Sequence, residues 1–187
     1  MHVHEAILTR RSHKQFAGIP VPEAQLAQLL KLAIWAPNHK YTEPWRFCVV
    51  RHAALPAYLQ VIVAGAQSER ARSKLPKIAE IVAGAGAAIV VRQVVAPGDP
   101  ERAREDYAAC ACAAQHIQLG AWASGWASYW TTSPGFLGEA GEAGAPIRQF
   151  LHCTAEEHIV GVILLGAPVR EMPAIRHRSV EEVTDWL

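Results

Sequence analysis

The sequence predicts an α+β fold in which helices pack around a sheet, and three observations lead there. Four short runs have the apolar content and alternation of strands: 45–50, 87–95, 126–130 and 157–166. Helical segments of unequal length lie between them, the clearest starting at Pro22 and at about Glu101. The two kinds of element mix without a regular βαβ rhythm, which points to α+β. With 187 residues, no repeats and no dividing linker, the chain reads as one domain over 1–187.

Taken in order, His4-Glu5-Ala6-Ile7-Leu8 reads as a short helix ending near Ser12. Arg10-Arg11-Ser12-His13-Lys14-Gln15-Phe16 then packs three cations, a hydroxyl and an anchoring aromatic together. Guanidinium donors match paired phosphate oxygens, so a double arginine with a hydroxyl suits a phosphate. The plainer alternative is a solvated basic helix end. Pro22-Glu23 opens an amphipathic helix whose Leu26, Leu29, Leu30, Ala33 and Ile34 recur at helical spacing, stopping at Ala36-Pro37. Asn38 to Pro44 is a structured polar loop, and Trp45 to Val50 a strand.

Residues 53–83 read as two helices broken around Gly65 to Ser68 and at Pro76. Ala87 to Val95 suits a strand buried on both faces. Asp99 is placed to cap the helix from about Glu101 to Ser124, whose run of alanines around Cys110 and Cys112 allows close approach of another helix. A strand over 126–130 runs into Thr131-Thr132-Ser133-Pro134-Gly135, a turn rich in hydroxyls. Gly138 to Gly144 reads as a flexible loop, Pro146 to Leu151 as a short helix, and Glu157 to Gly166 as the strongest strand. After Pro168 the chain is irregular, passing Arg176-His177-Arg178.

Several function classes are disfavoured. A net charge of +1 gives no bulk field for nucleic acid, so any anion site must be local. Tyr107 to Trp126 is interrupted by Gln115, His116 and Gln118 and reads as a buried helix, not a membrane span. The start lacks a basic region followed by an apolar core, and the four cysteines form no CxxC pair. A cytoplasmic protein with reduced thiols and no metal site is therefore expected. There is no GxGxxG, no GxxxxGK[ST] and no GxSxG.

Three separated segments share one pattern: Arg10 to Lys14, Asn38 to Lys40 and Arg176 to Arg178 each follow an apolar element and bring cations or donors. Trp35, Trp45, Trp126 and Trp130 lie near element ends, where a flat ring could stack or could simply fill the core.

In order along nearly the whole chain, these segments resemble the nitroreductase family of flavoproteins. The resemblance rests on Arg10-Arg11-Ser12-x-Lys14-x-Phe16, Pro22-Glu23-x-x-Leu26, Ala36-Pro37-Asn38-His39-Lys40 and Pro44-Trp45-Arg46-Phe47. It continues through Gly125-Trp126 to Trp130, Ile159-Val160-Gly161 with Leu165-Gly166-x-Pro168, and Arg176-x-Arg178 before Glu181-Glu182-Val183. It implies a central, mostly antiparallel sheet surrounded by helices in an intertwined homodimer, with FMN in two sites at the interface. By position it implies that Arg10, Arg11, Ser12 and Lys14 hold the phosphate, the ribityl chain and the N1/O2 edge, with Arg176 and Arg178 completing the phosphate clamp. Trp35, Pro37 and His39 would come from the other subunit, Asn38 would also contact the cofactor, and Trp130, Thr131, Thr132 and Ser133 would line the isoalloxazine.

The chain departs from larger members at Asn38-His39, at Glu43 and at Thr131-Thr132-Ser133, which leaves the donor to flavin N5 open. A second lysine at the pyrimidine edge has candidates only in Arg70, Arg72 and Lys74, and Arg170 falls outside the matched segments. The implied activity is an FMN-dependent NADH or NADPH oxidoreductase reducing nitroaromatics, quinones or similar small acceptors by a ping-pong hydride mechanism. His39 is a candidate proton donor. The alternatives are a flavin-binding or flavin-processing protein without NAD(P)H turnover, and a cofactor-free interaction module.

Overall fold

The structure, a computed structural model, describes residues 1–133, 136 and 144–187. The predicted turn at Pro134-Gly135 and all of the Gly138 to Gly144 loop except Gly144 lie outside them.

A four-stranded sheet is built from β1 (Trp45–Arg51), β2 (Ala87–Val94), β3 (Ala127–Thr131) and β4 (Glu157–Gly166), in the order β1-β2-β4-β3. Every neighbouring pair is antiparallel. β2 and β4 are central and almost wholly buried, which is why their sequences are continuous apolar runs. A bulge between Val91 and Arg92 shifts the pairing of β2 with β4. Across it the side-chain alternation of β4 changes phase: Ile159, Val162 and Leu164 face one core, and Val160, Ile163 and Leu165 the other.

Helices cover both faces. On one lie α3 (Leu55–Gly65), α5 (Leu75–Gly84) and α7 (Ala145–Phe150), with Tyr58, Ile62, Ile81 and Val82 buried against the sheet. On the other lie α2 (Glu23–Ala33) and α6 (Pro100–Ala123). The alanine run of α6 lets α2 come close: a Cβ built on Gly120 would sit 2.5 Å from Leu32 Cδ1. Asp99 caps α6 by accepting the Arg102 N–H at 3.0 Å. A short α1 (Val3–Thr9) lies against α6 and buries only Ala6.

Three boundaries differ from the sequence reading. α2 ends at Ala33, short of Ala36-Pro37, because the Trp35 and Ala36 N–H groups bond three residues back and tighten the last turn. The segment 53–83 forms three helical pieces, since α4 (Glu69–Arg72) stands alone with Ser68 as its cap. Pro76 starts α5 instead of breaking a helix, a position where its missing N–H is harmless.

The segment after α1 is stitched to the sheet. Ser12 forms a parallel bridge with Ser128, and Phe16 an antiparallel one with Pro168. Phe16 is buried across Gly166, where a Cβ would meet its Cβ at 2.7 Å, so the glycine is required by the aromatic above it. Among the described residues no helix is long and apolar enough to cross a membrane. All four cysteines are free, and among the described residues no cluster of three potential metal ligands exists.

Candidate functional site

Arg10 ends α1 with extended backbone geometry, so the chain leaves the helix as a strand-like segment beside β3. Its residues then divide: His13 and Phe16 go inward, and Ser12 and Lys14 stay outward. The inward His13 is 2% exposed, stacks on Trp122 at 5.7 Å between ring centroids, and donates its backbone N–H to the Ser128 carbonyl. Outward, Lys14 Nζ lies 5.1 Å from the centre of the Tyr129 ring.

The guanidiniums crowd together. Burial, then the charges of Arg11 and Arg176, push the Arg10 pKa below its ordinary value. Arg10 Nη1 and Arg11 Nε are both buried without a hydrogen-bond partner. Among the described residues no carboxylate pairs with Arg10, Arg11 or Arg176. Buried polar groups are satisfied in the great majority of cases, and unused cationic donors beside like charge have the chemistry to accept an anion. Arg176 lies near enough for its charge to act on Arg10, whereas among the described residues no ion pair ties Arg178 to the cluster.

A cleft of ≈ 430 Å³ is lined by the residues that follow in the chain, Ser12, His13, Lys14 and Gln15, with Lys77, Arg170 and Met172. Two of these cations were not legible as site residues. Lys77 belongs to α5 and pairs with Glu80 at 2.7 Å, which also accepts from Gln15 at 3.5 Å. It lies one helical turn beyond Lys74, the last of the candidates Arg70, Arg72 and Lys74. Arg170 is carried into the cleft because Pro168 is bridged to Phe16. Burial, then the charges of Arg10 and Arg170, pushes the His13 pKa down and favours its neutral form.

The β3 side is less polar. Thr131 is buried and its Oγ1 accepts the Ser133 N–H at 3.1 Å; Thr132 is exposed. Trp130 Nε1 is buried without a partner, its indole lying over Gly161, where a Cβ would come within 2.2 Å of that nitrogen. Of the other tryptophans weighed for stacking, Trp45 is core, and Trp126 is half-buried against the α2–α6 core.

The remaining candidates sit apart from the cationic cleft. Trp35 is 81% exposed and lines an apolar groove of ≈ 420 Å³ with Met1, Val3, Leu32, Leu119 and Gly120. Pro37 is exposed beside it in the chain. Asn38 and His39 belong to a tight loop against the first turns of α6. Asn38 Oδ1 accepts the Glu43 N–H at 3.1 Å, and Thr42 Oγ1 donates to the buried Asp106 at 2.6 Å. His39 Nδ1 lies 2.7 Å from Glu105 Oε2. Lys40, Tyr41 and Glu43 take φ of 52°, 54° and 42°, a left-handed conformation that costs a residue other than glycine roughly 1–3 kcal/mol. The ties to α6 hold that strain in place.

Comparison with known proteins places these features in a lineage. A sequence profile described as the Nitroreductase family matches residues 7–167. Bacillus subtilis (strain 168) YfhC, provisionally named an NAD(P)H nitroreductase, is 28% identical over 182 residues, covering 95% of this chain and 89% of that protein. The crystal structure of a nitroreductase-like family protein from Bacillus cereus superposes with a TM-score of 0.86 at 24% identity, over 100% of this chain and 96% of the other. The FMN- and NADPH-dependent nitroreductase NfnB from Sphigopyxis sp. strain HMH gives 0.80 at 17% identity, over 100% and 99%. The two structural likenesses are of fold, and the profile match spans most of the sequence. The chain belongs to the nitroreductase family.

Proposed function

We propose that this chain is an FMN-dependent oxidoreductase that draws reducing equivalents from NADH or NADPH and delivers them to nitroaromatics, quinones or similar small acceptors. The observation that carries this reading is the pair of buried, unpartnered donors, Arg10 Nη1 and Arg11 Nε, crowded by Arg176 with no carboxylate paired to them among the described residues. A phosphomonoester dianion fits that donor set, and FMN ends in one. Arg10, Arg11, Arg176 and Arg178 would hold the phosphate, and Ser12 the ribityl chain. Lys14 and Lys77 would hold the pyrimidine edge, where positive charge stabilises negative charge that develops during reaction. When bound, FMN supplies hydride transfer at N5. Trp130, Thr131, Thr132 and Ser133 would line its ring, and Trp35, Pro37, Asn38 and His39 would reach it from a second subunit.

That second subunit is part of the proposal. Val180, Val183, Trp186 and Leu187 are all exposed on a segment that has almost nothing to pack against in its own chain. The groove beside Trp35 offers an apolar surface of matching character. A homodimer with exchanged C-terminal arms buries both.

Visible absorbance of the purified protein tests for flavin, and anaerobic bleaching by NADH or NADPH tests for turnover. With one open face, reductant and acceptor take turns, so double-reciprocal plots should be parallel. Coloured protein that NADH and NADPH fail to bleach would favour a binder without turnover, and colourless protein that takes up no added FMN would sink both readings.

A further inference from the structure

The loop carrying His39 holds three non-glycine residues in left-handed geometry. What the shape achieves is placement. Consecutive residues of α6 tie the loop down, Asp106 through Thr42 and Glu105 through His39. The imidazole side chain remains 53% exposed, facing an open hollow of ≈ 610 Å³ lined also by Lys40, Tyr41, Glu101 and Arg102.

We propose that Glu105 is a positioning residue for His39. Its carboxylate accepts a hydrogen bond from Nδ1–H, which fixes the tautomer and the ring plane and presents Nε2 to the hollow. A carboxylate has no proton to donate, so a 2.7 Å contact requires the proton on Nδ1. Nε2 of the neutral ring is then the free acceptor. It can take a proton from solvent and return it to a substrate oxygen. This inference rests on the reading of His39 as a residue that serves the bound substrate. It adds the residue that orients it.

Long-range proton–nitrogen NMR on ¹⁵N-histidine protein reads the tautomer directly and needs no cofactor. The parent should show His39 with Nδ1 protonated when neutral. Glu105→Ala should shift it toward the Nε2–H form, and Glu105→Gln, whose amide oxygen still accepts, should keep it. In the flavin-loaded enzyme Glu105→Ala should lower kcat roughly tenfold with KM for the reductant within about twofold, and Glu105→Gln should restore most of it. An Nε2–H tautomer in the parent, or an unchanged tautomer in Glu105→Ala, overturns the proposal. A colourless protein with the expected tautomer would instead refute the flavin reading and leave the pair standing.

Discussion

Arg10→Gln is predicted to separate binding from stability. Arg10 is half-buried, its Nη1 has no partner, and Arg11 and Arg176 repel it. Removing its charge therefore relieves the free protein while depriving a bound phosphate of one charge-assisted contact. Such a contact contributes roughly 1.5–3 kcal/mol, which is about a ten- to hundredfold loss of affinity. Arg10 stays charged at every working pH, so its repulsion is present throughout and the effect should not vary with pH near neutrality. Flavin fluorescence titration in phosphate-free buffer measures affinity, with riboflavin as the control lacking the phosphate. FMN should weaken by the stated factor and riboflavin by less than about threefold. The melting temperature without flavin should not fall, whereas each lost kcal/mol would lower it by about 2–4 °C. Equal losses for FMN and riboflavin, or a variant that melts markedly lower, would refute the assignment of Arg10 to a phosphate.

His13 favours its neutral form in the folded chain, so the unfolded chain takes up the proton first; stability should drop as pH falls below about 6.5, and His13→Phe should flatten that drop in melts across pH 5–7. Glu157→Gln should cost about 3 kcal/mol by leaving the buried Arg92 guanidinium, now 2.9 Å from Glu157, without its counter-charge; urea denaturation would show this as a lower midpoint at unchanged slope. Deleting residues 180–187 should yield monomer in sedimentation and release FMN at the same time; a flavin-saturated monomer would contradict the exchanged-arm reading.

The strands were legible because burial writes itself into composition. β4 runs over Glu157–Gly166, the residues its apolar content marks, and β2 likewise, since both bury two faces. Arg10 and Arg11 stand out as candidate phosphate contacts in the sequence because they are adjacent and need no fold to be counted together. The partners that complete the cleft were not. Lys77 reads as an ordinary surface lysine of an amphipathic helix, and only the packing of α5 on the sheet brings it to Lys14. Glu105 lies 66 residues from His39, in a charged helix start where any carboxylate could serve as a dipole partner. Strain at Lys40, Tyr41 and Glu43 leaves no trace in residue type, because glycine would have been the expected choice at each.

The bridges of Ser12 to Ser128 and Phe16 to Pro168 set the order of events when the protein is made. The cationic segment from Arg10 to Lys14 is made before β3 and the end of β4, so it has no sheet to join until they have followed it, and Arg176 comes later still. Contacts this distant in sequence close slowly and late. A nascent chain thus exposes Arg10, Arg11 and Lys14 as an unstructured basic stretch throughout synthesis, unable to gather them around a ligand. Phosphate-bearing ligands should therefore speed the last phase of refolding without touching the phases that build the sheet.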